Sequence, residues 1–186
     1  GSKVAQKFYV RGLEDAQLNV TIDGAAQPGM LYHHQTRVQI EPEFIKTIQL
    51  DAGAGAATNG PGAITGAMHV TTKNAFDMLR EGQDAGAFIK GQAVFNGEDE
   101  FKALASVYGR VNNNIGLLAS IVRHDGEDYE DGEGNLASPT AFDHERALIK
   151  LNGEFEDHEF SVAYEDLHDF GNYYERPHFS GWSSRY

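Results

Sequence analysis

The sequence predicts a mixed α+β unit followed by long antiparallel β-strands, too few to close a barrel. Three observations predict it. Residues 3 to 75 hold short β segments separated by Gly-rich turns around one proline-led helical turn. From Phe101 onward, apolar and polar residues alternate with period two over segments of roughly ten residues, the pattern of strands with one apolar and one polar face. Short turns and longer loops also alternate between those strands, the habit of outer-membrane β-barrels, whose apolar side chains face lipid and whose polar ones face the lumen. A soluble antiparallel sheet with one face packed on a core produces the same alternation, so both readings stand at this point.

Taken in order, the first segments are Lys7 to Arg11, Gln17 to Asp23, Thr47 to Asp51 and Ala67 to Thr72. Pro42-Glu43-Phe44-Ile45-Lys46 reads as a single helical turn with proline near its start. The second half offers five strands. Ala87 to Phe95, Phe101 to Arg110 and Ile115 to Arg123 alternate loosely. The fourth is cleaner: Ala147, Ile149, Leu151, Gly153 and Phe155 share one face, and Arg146, Lys150, Asn152 and Glu154 the other. The fifth sets Phe160, Val162 and Tyr164 against Ser161, Ala163 and Glu165. Asn96 to Glu100 joins the first two strands, and Asn112-Asn113-Asn114 makes a tight turn suited to asparagine's tolerance of left-handed backbone. A long acidic loop runs from Asp125 to Phe142, and Glu156-Asp157-His158 closes the last hairpin.

Composition excludes several classes. The chain has 186 residues, 40% hydrophobic and 23% charged, which is far from a disordered composition. Its net charge of -13, from 15 basic against 28 acidic residues, argues against a nucleic-acid partner, because such binding rests on neutralising phosphates with Lys and Arg. Without cysteine there is neither disulfide nor thiolate metal site. No stretch approaches the ~18 apolar residues of a transmembrane helix. Gly1-Ser2 reads as a cloning scar, with the natural N-terminus expected to lie upstream.

The stretch Gly60-Pro61-Gly62-Ala63-Ile64-Thr65-Gly66 invites a nucleotide reading that its spacing refuses. Its third glycine falls at the seventh position rather than the sixth, and a β-branched run follows where a helix is required. Gly55 and Gly60 have Walker A spacing, but Pro61 stands where the lysine belongs.

In sequence order, Phe8-Tyr9-Val10-Arg11-Gly12, Val20-Thr21-Ile22-Asp23-Gly24, Phe44-Ile45-Lys46-Thr47-Ile48 and Gly60 to Lys73 together resemble TonB-dependent outer-membrane receptors. The resemblance covers roughly residues 8 to 75. It implies the C-terminal part of a plug domain over 3–78, then over 84–186 the first antiparallel strands of a transmembrane barrel that has roughly 22 strands in this class. Departures from the family pattern fall at Gln49, Ala52, Asn59 and Thr65, and touch the polar network at the base of the plug. Arg11, Gly12, Asp23, Gly24, Gly53, Gly60, Gly62 and Gly66 are the implied structural motif of the plug, the glycines letting backbone turn sharply in a crowded lumen.

The resemblance also implies location and partners: the outer membrane of a Gram-negative bacterium, surrounding lipid, and TonB acting through an N-terminal box not visible in these residues. The cargo is a scarce nutrient, foremost a ferric siderophore or other metal complex, with haem or a metal ion as the alternative. Neither a catalytic residue nor a resident cofactor is expected. The connection after Asp23-Gly24 rises to the plug apex in this family, so Met30, Tyr32, His33, His34 and Gln35 are the candidate ligand contacts. Imidazole and thioether suit haem iron, copper or zinc; two ordinary histidines on a solvated loop are the plainer reading.

Other features carry less. In the run Asp125 to Asn135, aligning Gly132 with the sixth position of an EF-hand puts Tyr129 at a ligand position and Ser138 in place of the bidentate Glu, so a flexible acidic loop is expected. No Gly-x-Ser-x-Gly elbow is present. Asp166, His168 and Asp169 lie at the end of a strand pattern, and His158, His168 and His178 are expected in separate turns and loops. Tyr173, Tyr174, Phe179, Trp182 and Tyr186 fit ligand stacking or an interfacial aromatic girdle. A soluble, plug-like β-rich binding module remains the rival from another class.

Overall fold

The computed structural model describes residues 7–27, 39–53, 59–60, 63–95, 99–173 and 184–185. Two compact units divide after Thr72.

In the first unit, β1 (Tyr9–Val10) and β2 (Leu13–Glu14) form a hairpin about Arg11-Gly12. The next hairpin joins β3 (Leu18–Ile22) to β4 (Ala25–Ala26), with Ile22 opposite Ala25, so Asp23 and Gly24 form a two-residue loop. Both have positive φ, 47° and 83°, the primed turn that matches strand twist and that Asp-Gly favours. A 3-10 turn at Pro42–Phe44, where the proline-led helical turn was expected, leads into β5 (Ile45–Ala52), and β6 (Gly66–Thr72) completes the sheet in the order β4-β3-β6-β5. β3 runs parallel to β6 and β5 antiparallel to it. Val10, Leu18, Val20, Ile22, Met68 and Val70 form the core, with Ile40 and Ile45 packed against it. Each such fully buried side chain contributes roughly 1.5–3 kcal/mol. Of the strand expected over Lys7 to Arg11, only Tyr9–Val10 is strand, and Arg11 opens the turn that follows.

The second unit opens with one helical turn, α1 (Ala75–Met78), capped reciprocally: Asp77 N donates to the Asn74 side chain at 3.0 Å and Asn74 N to the Asp77 carboxylate at 2.8 Å. An antiparallel sheet follows, of β7 (Ala85–Phe95), β8 (Asp99–Arg110), β9 (Ile115–Gly126), β12 (Phe142–Phe155), β13 (His158–Tyr173) and a short β14 (Ser184–Arg185), each paired with the next. Between β9 and β12 lies a small hairpin, β10 (Tyr129–Glu130) with β11 (Leu136–Ala137). The acidic segment expected to be a flexible loop is thus ordered, because strands extend into it from both sides until Gly126 pairs with Phe142.

The two faces of this sheet settle the alternation. Arg146, Lys150 and Asn152 are buried, Lys150 and Asn152 to 4% exposure, whereas Ile149 is 50% exposed and Val162 and Tyr164 are each 63% exposed. Across the strands Val107, Leu117, Ile121, Ile149 and Phe160 are exposed, while Ser106 and Ser120 are buried and share a 2.8 Å hydroxyl hydrogen bond. A soluble sheet would bury the apolar face; a barrel strand turns it to lipid and keeps the polar face inside. The chain therefore carries strands of a transmembrane β-barrel, open among the described residues because the sheet begins at β7 and ends at β14. No described helix is long and apolar enough to cross a membrane.

Candidate functional site

Met30, Tyr32, His33, His34 and Gln35, the expected ligand contacts, lie outside the described residues, as does Gly62. The rest of the plug motif is described. The Asp23 carboxylate accepts from Thr72 N at 2.9 Å and from the Thr72 hydroxyl, and Asp23 N donates to Val70 O, so the β3–β4 turn is tied to the end of β6. Gly53 N donates to Thr65 O at 2.8 Å. Gly60 lies against the Asn19 amide, which donates to Asn59 O. Gly66, at φ 135°, begins β6 so close to β5 that a Cβ there would stand 2.0 Å from the Asp51 carbonyl oxygen.

The chemically richest place in the described residues is on the polar face of the second unit, at the end of the strands nearest the β10–β11 hairpin. Register sets it up: His144 lies opposite His124 on one side and Asp169 on the other, and Glu100 and Lys102 occupy the adjoining strand. His144 is buried, and its Nδ1–H donates to Asp169 Oδ1. The same oxygen accepts from Arg146, whose guanidinium also donates to the His168 carbonyl at 2.9 Å. His124 Nε2 donates to Glu100 Oε2 at 2.8 Å. Phe142 stacks on the His144 ring at 4.9 Å and meets the His124 ring edge-on at 4.9 Å, and the imidazole centroids are 6.3 Å apart. Two imidazoles, each held by a carboxylate on a different strand, flank one phenyl ring.

Neither His124 nor His144 stands out in the sequence, since each sits alone in an alternating strand. Their signal is positional: they lie equally far from the middle of the connection between β9 and β12, so hairpin register brings them opposite. Asp169 joins them because β13 continues past the apolar stretch to Tyr173; the segment read as a strand end is strand throughout. His158 and His168 accordingly share β13 rather than separate turns, with His168 Nε2 3.0 Å from Asp166 on the outer face. His178 lies outside the described residues, as do all of the C-terminal aromatic group except the Tyr173 backbone.

On the outer face above the apolar residues, Arg123 contacts Asp143 at 3.0 Å, Glu145 at 3.4 Å and Asp125 at 3.7 Å, all exposed. In the β10–β11 region Asp128 accepts from Ala141 N at 2.7 Å and from Thr140 N and hydroxyl. Burial pushes its pKa up, but these bonds with one from Ser138 outweigh it and hold the carboxyl below the ordinary value. Asp131 is held below it too, first by the Asn135 backbone N–H, then by the Asn135 side chain and Glu133 N. Among the described residues, no group of three or more His, Asp or Glu side chains could hold a metal ion.

Residues 1–67 match the family described as TonB-dependent Receptor Plug Domain. The chain is 31% identical over 169 residues to the heme transporter BhuA of Brucella ovis, an alignment spanning 91% of this chain and 25% of BhuA. It is also 31% identical over 149 residues to the TonB-dependent heme receptor A of Haemophilus influenzae, covering 79% of this chain and 20% of that protein. Among solved structures, the FrpB iron transporter from Neisseria meningitidis (F3-3 variant) superposes with a TM-score of 0.78 at 26% identity, over 92% of this chain and 27% of FrpB. The chain thus spans about a quarter of the length of the relatives it matches.

Proposed function

Because the chain belongs to the TonB-dependent receptors of the Gram-negative outer membrane, we propose that it forms the plug and first barrel strands of a receptor that imports haem. The observation that carries this reading is the likeness to a haem transporter through both units, over 91% of the chain. It moves the cargo from the ferric siderophore that the sequence resemblance put first to the haem alternative. Haem is bound at the outer side, between the plug apex and the loops, and is released to the periplasm when TonB, energised by the proton gradient of the inner membrane, acts on the plug. Tyr32, His33 and His34, with Met30 and Gln35 beside them, are the proposed first contacts, imidazole and phenolate being axial donors for haem iron. The role is transport rather than catalysis, in keeping with relatives named as transporters and receptors.

The test is growth. A haem-auxotrophic or iron-starved Gram-negative host producing the intact receptor is expected to grow on haem as sole iron source only when its TonB is functional. Equal growth without TonB, or growth on ferric siderophores but not on haem, would overturn the reading.

A further inference from the structure

Very little chain joins the plug sheet to the barrel strands. Only Lys73 and Asn74 separate the end of β6 from α1, and residues 79–84 lead on from α1 to β7. The β7 end of this connection is fixed, since Arg110 N donates to Asp84 O at 2.7 Å. Between the two ends, α1 packs on β8, β9 and β12. Its seat is a notch at Gly116, a buried position directly opposite Asn152 in the sheet. A Cβ on Gly116 would stand 2.9 Å from the Ala75 Cβ, 3.1 Å from the Asn152 side-chain oxygen and 3.4 Å from the Phe76 ring. The helical turn and the amide therefore meet in the space that glycine leaves open. Ala75 is fully buried there, and the Arg110 guanidinium lies 5.3 Å from the centre of the Phe76 ring, a favourable cation–π distance.

The same seat is opposed by what it covers. Asn152 is 4% exposed, and neither its side-chain nitrogen nor its side-chain oxygen has a hydrogen-bond partner among the described residues. An amide brings two donors and an acceptor with two lone pairs, and burying them unmet favours any state in which water reaches them. Packing does not demand an amide at this position, because Leu118 and Leu148 are buried on the same face of the sheet. The cap of α1 is its own, the reciprocal pair of Asn74 and Asp77, and does not depend on the strands.

We propose that α1 is a latch between plug and barrel. Ala75 in the Gly116 notch and Phe76 against Arg110 hold it seated, the unmet amide of Asn152 sets it to release, and it lifts from the strands when TonB draws on the plug. A pull on β6 reaches α1 through two residues, whereas the far end of the connection stays tied at Asp84. The proposal rests on TonB acting on the plug, as above, and not on which cargo is carried.

The experiment uses the intact receptor with Ala75→Cys as reporter, in a background without other accessible thiols. It reads the rate at which N-ethylmaleimide labels the thiol, which is covered while α1 is seated. In detergent, with no cargo, Asn152→Leu is expected to slow labelling about tenfold, because it removes the unmet groups and leaves the apolar contacts. Gly116→Ala, whose Cβ intrudes on Ala75, is expected to speed labelling about tenfold, and the gentler Arg110→Ala about threefold. In cells given haem, labelling is expected to be faster with functional TonB than without it. Unchanged or faster labelling in Asn152→Leu, or labelling that neither Gly116→Ala nor Arg110→Ala speeds, would overturn the latch. Equal labelling with and without TonB in cells that grow on haem would also overturn it, and would leave the haem reading standing. Cells that fail to grow on haem would remove the haem reading instead, and the comparison in detergent would then decide the latch by itself.

Discussion

Gly66 and Gly24 both sit at positive φ in the first unit, but for different reasons, and substitution separates them. A Cβ on Gly24 meets no atom within 4 Å, so Gly24→Ala costs only the left-handed backbone penalty, about 1–2 kcal/mol. On Gly66 it meets the Asp51 carbonyl oxygen as well, and backbone cannot swing away as a side-chain tip can. Gly66→Ala is therefore expected to cost on the order of 3 kcal/mol or more, from strain and overpacking together. In amide exchange on the intact receptor this is roughly a hundredfold faster opening of the β5–β6 pairing, against about tenfold at the β3–β4 turn for Gly24→Ala; equal effects would mean that the close approach at Gly66 is not maintained. The turn residues are legible in sequence because their chemistry is local: Asp-Gly between two β segments states its own conformation. His124 and His144 are not, because their meeting depends on the register of two long strands, which no short window of residues contains.

At the scale of elements, the ordered hairpin between β9 and β12 depends on two carboxylates acting as acceptors. Asp128 and Asp131 are both depressed below the ordinary aspartate value of 3.8, so each favours the folded segment above that value and loses the contribution as pH falls through its lower, folded value. Protection of the Ala141 and Asn135 amides, corrected for intrinsic exchange, should accordingly hold steady from neutral pH down to about 3.8 and decline below it. Asp131→Asn should lower Asn135 protection at neutral pH and flatten its pH dependence; a decline beginning near pH 6 would implicate a histidine instead. β13 shows why this part of the chain was under-read. Its unbroken apolar row ends at Tyr164, and Asp166 and His168 interrupt the outer face before the exposed Phe170, so alternation of hydrophobicity fades while the hydrogen-bonded ladder with β12 goes on to Gly171 opposite Phe142. In a barrel strand, hydropathy reports where lipid ends and not where the strand ends.

For the whole molecule the decisive property is the inversion of the sheet, which the sequence could pose but not resolve, since alternation reads the same whichever face is buried. Exposure breaks the tie, and it predicts opposite tolerances on the two sides of the same strand. Ile149 belongs to the outer apolar band and is half exposed, so Ile149→Arg places a charge against lipid and is expected to cost about 2–4 kcal/mol if the position lies near the bilayer midplane. Arg123, on the same face but beyond the apolar residues and surrounded by Asp125, Asp143 and Glu145, makes exposed ion pairs, and Arg123→Ala is expected to cost less than about 1 kcal/mol. In a soluble sheet with this face in water the order would reverse: Ile149→Arg would be nearly neutral, and loss of Arg123 from among three acids the larger change. Folding of the intact receptor into lipid vesicles, scored by the heat-modifiable barrel band, measures both variants side by side. A smaller yield loss for Ile149→Arg than for Arg123→Ala would remove lipid from the apolar face and the transmembrane assignment with it.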